Sequence, residues 1–182
     1  MTRTYISIMP KQGLISQFQL NKYTNQIYRS VMPHGCYDES NNVIDQWNDL
    51  NIDYVICLCP KSEFIRKANK HQDDIYGKQY KYINYPIINY KCPPDFSTMT
   101  DILNQVHELL ENNSRIVIHC SAGIGRSGLF LCCFLLYLGY DSKDAVRITK
   151  HNIICSFTNP LQNNYFKNFV SYNQVNFIRG TI

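Results

Sequence analysis

Residues 115–139 read RIVIHCSAGIGRSGLFLCCFLLYLG. Arg115 to His119 is a short β-branched run, the composition of a buried strand. Leu129 to Leu138 is apolar all round and stops at Gly139, as a buried helix does. Between them lie Gly123 and Gly125, which permit backbone angles that other residues resist, so that successive N–H groups turn inward toward an anion. The helix that begins near Arg126 adds the positive end of its dipole. Strand, glycine loop and buried helix make a phosphate-binding arrangement in an α/β protein.

Working outward, Asn41 to Leu50 carries Val43, Ile44, Trp47 and Leu50 at helical spacing, and Tyr54 to Cys59 reads as a buried strand. Lys61 to Lys78 is polar, a helix plus loop, and Tyr80 to Tyr85 is a further strand. The apolar positions from Phe96 to Leu110 fall on one helical face, with Pro93, Pro94 and Asp95 as start signals. Two helices follow, over about 142–150 and 160–176. The pieces Tyr5 to Met9, Leu14 to Leu20 and Gln26 to Arg29 suggest edge strands or an irregular entry. The expected architecture is one α/β domain over 1–182, with an irregular segment at 1–25. Its central, mostly parallel sheet has about five strands and helices on both faces, and the phosphate-binding loop joins strand 115–119 to helix 126–138.

The chain has 182 residues, of which 45% are hydrophobic and 18% charged. A domain of that size buries roughly two-thirds of its unfolded surface without disulfides. Eight cysteines are scattered, several inside apolar runs. The start, MTRTYISIMPKQ, lacks a secretory pattern, so the reading is cytoplasmic with reduced thiols. Neither Cys57/Cys59 nor Cys132/Cys133 has the spacing of a zinc site, so no metal or cofactor is expected. The formal charge of +4 is dispersed, without a basic run marking a nucleic-acid groove. The longest apolar stretch falls well short of the ~20 residues of a membrane span. A monomer with no membrane partner is expected.

Cys120 stands at the C-terminal edge of its strand, where open α/β sheets place their sites. Thiols at helix N-termini or beside cations lose their proton readily. Arg126 lies six residues on, placed to return over the loop and make a bidentate contact with phosphoryl oxygens, which lysine does not reproduce. Taken singly, each residue has an ordinary structural reading; the combination of a strand, Cys, five residues with two glycines, and Arg does not.

The segment HCSAGIGRSG, residues 119–128, resembles the Cys-x5-Arg signature of protein tyrosine phosphatases. The order of an MPHG opening at 32–35, a helix, a strand ending in cysteine and a Pro86-Ile87 motif resembles the small dual-specificity branch typified by cyclin-dependent-kinase-associated phosphatases. The likeness covers about residues 26–170. It implies Cys120 as nucleophile and Arg126 as phosphate ligand, with the backbone of Ser121, Ala122, Gly123, Ile124 and Gly125 around the phosphate. It further implies Ser127 as hydrogen-bond donor to the sulfur, His119 as orienter of the loop and Gln162 as positioner of water, the alternative for Gln162 being an exposed helix residue.

One departure stands out: the family's general acid is an aspartate, and Asn89 occupies its place. Asp95 is either a substitute acid or a helix cap. Cys59 matches a cysteine that, in phosphatase-and-tensin lipid phosphatases, lies behind the nucleophile, so it is either a redox partner of Cys120 or a core thiol. The resemblance implies hydrolysis of phosphotyrosine in a protein substrate through a phosphocysteine, with phosphoserine and phosphothreonine left open. Because of Asn89, two alternatives stay in view: an RNA 5′-triphosphatase acting on triphosphate-ended RNA, and a phosphoprotein-binding pseudophosphatase.

Overall fold

The computed structural model describes residues 13–77 and 79–178; the piece Tyr5 to Met9 lies outside them. Five strands, β1 (Ile15–Gln17), β2 (Ile27–Ser30), β3 (Tyr54–Cys57), β4 (Lys81–Asn84) and β5 (Ile116–His119), form one sheet in the order β1-β2-β5-β3-β4. Only the β1–β2 pairing is antiparallel. The helices are α1 (Val43–Asp49), α2 (Lys61–Ala68), α3 (Gln72–Ile75), α4 (Phe96–Glu111), α5 (Gly125–Tyr137), α6 (Ser142–Asn152) and α7 (Pro160–Ile178). This is the α/β architecture that the 115–139 segment implies.

β5 is central because every residue in it is buried, which requires cover on both faces of the sheet. His119 pairs with Ser30 of β2 and with Cys57 of β3, so three parallel strands end level with one another. Cys120 emerges at that carboxyl edge. Arg126 to Leu136 of α5 are all buried, which explains an apolar run with no polar stripe. No helix among the described residues is long and apolar enough to cross a membrane.

Two segments differ from their sequence reading. Gln26 to Arg29 suggested an edge or irregular piece, but β2 is interior and all four of its residues are buried. Arg29 obscured this, since an arginine in a short strand reads as solvent-facing. Here its guanidinium is hydrogen-bonded internally: Nε donates to Ser16 Oγ at 2.8 Å and Nη2 to the Gly13 carbonyl at 3.0 Å. The polar stretch from Lys61 contains two helices, separated where Asn69 takes a left-handed conformation with φ of 52° and ends α2.

On one side of β5, Trp47 of α1, Phe64 of α2 and Tyr76 just after α3 place their rings within 5.8, 6.4 and 5.9 Å of the His119 ring. His119 Nδ1 lies 2.9 Å from the Cys120 carbonyl, which only accepts, so Nδ1–H donates. Burial pushes the Tyr76 hydroxyl well above its ordinary pKa, so it keeps its proton and donates a hydrogen bond to His119 Nε2 at 2.7 Å. Tyr76→Phe leaves a buried acceptor unpaired at a cost of about 1–3 kcal/mol. A urea denaturation curve should show the midpoint falling accordingly; an unchanged midpoint would mean that this bond contributes nothing to stability.

Candidate active site

The loop from Cys120 to Ile124 joins β5 to α5. Gly123 has φ of +67°, and a Cβ there would lie 2.3 Å from the Ser30 carbonyl oxygen, so no other residue fits. The Met32 N–H donates to the Ser121 carbonyl at 3.0 Å and ties the loop to the segment after β2. At the next tight spot, a Cβ on Gly128 would come 2.7 Å from Ser156 Cβ, so the helix seats directly on the 153–158 segment.

Cys120 is 3% exposed, at the base of a cavity of about 190 Å³. Burial raises its pKa, but the Arg126 charge, the Ser127 hydroxyl and the N–H groups of Ser127 and Ile124 outweigh burial and hold it below the ordinary thiol value. Ser127 Oγ is fully buried with no other partner among the described residues, which leaves it available to the sulfur. His119 does not line the cavity.

Arg126 is fixed by a residue that the sequence reading did not single out. Its Nη1 and Nη2 donate to the two carboxylate oxygens of Glu63 at 2.8 and 2.9 Å, and Nη1 also donates to the Ile87 carbonyl at 2.9 Å. Burial raises the Glu63 pKa, yet Arg126 and then Lys67 bring it below the usual carboxylate value. Lys67, one turn along α2, donates to Glu63 Oε1 at 2.7 Å and to Ser121 Oγ at 2.9 Å and lines the cavity. A signal existed, since a helix starting at Pro60 directly after β3 must lie beside the loop that follows β5.

The remaining candidates separate. Asn89 and Gln162 line the cavity with Cys120, and Gln162 is buried rather than an exposed helix residue. Asp95 is the N-cap of α4, accepting from the Thr98 N–H at 2.7 Å, and lies outside the cavity lining. Cys59 also lies outside it; Cys57 and burial hold its thiol well above the ordinary value, and its carbonyl accepts from Asn84 at 2.9 Å. Tyr37 and Tyr90 supply aromatic wall. The segment carrying Asn89 is pinned to the start of α7: Asn159 donates to the Tyr90 carbonyl at 3.0 Å, Gln162 to that of Lys91 at 3.3 Å, and Cys92 to that of Leu161 at 3.2 Å. Among the described residues no group of His, Cys, Asp or Glu could hold a metal ion.

A doubly hydrogen-bonded arginine over a low-pKa cysteine, on a glycine loop between parallel strand and helix, defines a Cys-x5-Arg phosphatase site. The family model described as "Polymorphic toxin system, DSP-PTPase phosphatase" matches residues 34–140, and the chain belongs to this phosphatase family. Among curated proteins it is 29% identical over 100 residues to cyclin-dependent kinase inhibitor 3 of Sus scrofa, covering 52% of this chain and 44% of that protein. It is 33% identical over 90 residues to the same protein of Rattus norvegicus, covering 46% and 40%. With phosphatidylinositol 3,4,5-trisphosphate 3-phosphatase cnrN of Dictyostelium discoideum it shares 29% over 99 residues, covering 49% and 15%. The chain thus matches less than half the length of these relatives. Among solved structures, Tk-PTP in its active form superposes with a TM-score of 0.70 at 18% identity, covering 87% of this chain and 97% of that one. Kinase associated phosphatase superposes at 0.69 and 19%, covering 81% and 87%. Both likenesses concern the fold.

The site's electrostatics can be read directly. Alkylation of Cys120 by iodoacetamide, followed by mass spectrometry across pH, should have its midpoint below that of an ordinary thiol, because the thiolate persists as pH falls. Arg126→Met removes the largest opposing effect and should move the midpoint up, and Ser127→Ala should move it up less. Identical midpoints in all three proteins would mean that the loop does not stabilise the thiolate.

Proposed function

We propose that the protein is a phosphotyrosine phosphatase that works through a phosphocysteine. The observation that carries this reading is Arg126, held by two hydrogen bonds to Glu63 and lining one small cavity with Cys120. The thiolate attacks phosphorus, the P–O bond to the tyrosine oxygen breaks, and that oxygen leaves with the electron pair. Arg126 and the loop N–H groups of residues 121–126 hold the three equatorial oxygens as charge develops on them. Water then attacks phosphorus, the S–P bond breaks, and the Ser127 hydroxyl receives the returning thiolate by hydrogen bond. Gln162, buried beside Gly125, positions that water.

Asn89 stands where an acid would act and has no proton to give. A phenoxide, with a pKa near ~10, leaves under these conditions far more readily than an alkoxide, so phosphotyrosine is favoured over phosphoserine and phosphothreonine. Tyr37 and Tyr90 offer aromatic surface for the substrate ring. The relatives supply context: kinase associated phosphatase was crystallised with serine in place of its catalytic-site cysteine.

The test sets phosphotyrosine peptide, phosphothreonine peptide, triphosphate-ended RNA and a phosphoinositide side by side. Phosphotyrosine peptide should be turned over fastest, and Cys120→Ser should abolish turnover while vanadate binding persists. Turnover by Cys120→Ser, or preference for another substrate, would overturn the reading.

Asn89→Asp should accelerate phosphotyrosine hydrolysis by up to about 10²-fold and little on activated aryl esters. An acid must carry its proton, so the variant's rate should fall as pH rises through the new carboxyl's pKa. Asp95→Ala should instead lower stability by about 1 kcal/mol, the cost of a lost N-cap, with kcat unchanged. A large loss of kcat on phosphotyrosine in Asp95→Ala would make Asp95 the acid.

A further inference from the structure

Away from the catalytic cavity, α6, α7 and the segment between them enclose a second cavity of about 580 Å³. Its lining includes Val146 of α6 and Phe166 and Val170 of α7, with Phe157 from the connecting segment. Lys143 and Lys150, two turns apart on α6, stand on one wall and Lys167 of α7 on the other. No carboxylate lines the groove, and none of the three lysines is in an ion pair among the described residues. Of the nearby carboxylates, Asp141 caps α6 and lies close enough to Lys143 to feel its charge, and Asp144 pairs with Arg147. The site therefore presents Lys150 and Lys167 without a carboxylate partner, and Lys143 partly offset by Asp141, over an apolar lining, complementary to an acidic segment with an apolar anchor.

The shape selects the kind of partner. A bilayer surface is bound by apolar side chains that protrude beneath a basic rim. None of the four apolar lining residues is among the exposed large hydrophobics, and Phe166 is 5% exposed. The apolar surface is recessed, as a pocket for an inserted side chain must be.

Position ties the groove to the reaction. Phe157 borders it, while Thr158 and Asn159 line the catalytic cavity, so the two sites meet at consecutive residues, about 3.8 Å apart along the chain. Phe157 has φ of +62°, a conformation that costs a bulky residue on the order of 1 kcal/mol or more and recurs at ligand-binding segments. Its ring meets Phe166 edge-on at 5.4 Å across the end of the groove.

We propose that the groove between α6 and α7 docks an acidic peptide segment bearing a large apolar side chain, carried on the same polypeptide as the phosphorylated tyrosine that reaches Cys120. The link to a phosphorylated polypeptide rests on the protein-phosphatase reading above; the docking itself does not. The probe is a fluorescein-labelled, unphosphorylated ten-residue peptide with one phenylalanine flanked by glutamates, titrated against the full chain by fluorescence polarisation. Binding should weaken at least 10-fold in the triple variant Lys143→Glu, Lys150→Glu, Lys167→Glu, and also when glutamine replaces glutamate in the peptide. Val146→Trp, which fills the groove without changing charge, should weaken it as well. Turnover of p-nitrophenyl phosphate should be unchanged in both variants, which shows that they are folded. Joined to a phosphotyrosine peptide, the acidic segment should lower KM at least 10-fold for the wild type only.

No binding to wild type, equal binding to wild type and triple variant, or lysine-dependent binding of phosphatidylserine vesicles in preference to the peptide would each overturn the proposal. Because the first readout involves no phosphate, a protein that binds the peptide and turns over nothing would overturn the catalytic reading and leave docking standing.

Discussion

A buried sulfur at the end of β5, its pKa held below the ordinary thiol value, is the constraint around which the chain is organised. Burial alone would keep Cys120 protonated. Keeping it charged requires cations and oriented N–H groups that are themselves fixed in a water-poor setting, and each of these makes a further demand. Arg126, buried with the thiolate, needs Glu63; Glu63 needs α2 to start directly after β3; β3 must therefore lie next to β5, as the parallel register places it. Lys67 closes the chain of contacts by joining Glu63 to Ser121 of the loop itself. The sheet order is thus also the order in which charges are brought together.

His119 serves the same end without touching the cavity. Its ring is held by Tyr76 on one nitrogen and holds the Cys120 carbonyl with the other. The aromatic rings of Trp47, Phe64 and Tyr76 pack around that histidine. Hydrophobic packing on one side of the sheet becomes, through one histidine, the orientation of backbone N–H groups at the other end of the loop.

Much of this was legible because it is local. Residues 115–139 carry strand, loop and helix in one run, and the apolar spacing of Phe96 to Leu110 fixes α4. Asp95 after Pro93-Pro94 has the position of a cap, and it caps. What was not legible is tertiary. Glu63 and Lys67 sit in a polar stretch that has the pattern of a solvated helix face, and their role exists only because α2 folds against a loop almost sixty residues away. Arg29 concealed an interior strand, since the oxygens of Gly13 and Ser16 that satisfy its guanidinium cannot be assigned to it from spacing. The groove between α6 and α7 likewise depends on how two helices lie against each other.

The contact of Gly123 with Ser30 has a consequence for the order of assembly. The loop backbone sits on β2 too closely for any side chain, and the Met32–Ser121 bond fastens it there. β2 and the loop are separated in sequence by α1 through α4, and bringing such distant segments together costs chain entropy before the contact rewards it. A chain with helices and outer strands formed, but β2 not yet docked, has no finished cradle around Cys120 and so no stabilised thiolate. The lowered pKa of the sulfur is thus a property of the completed fold and not of the loop's sequence alone.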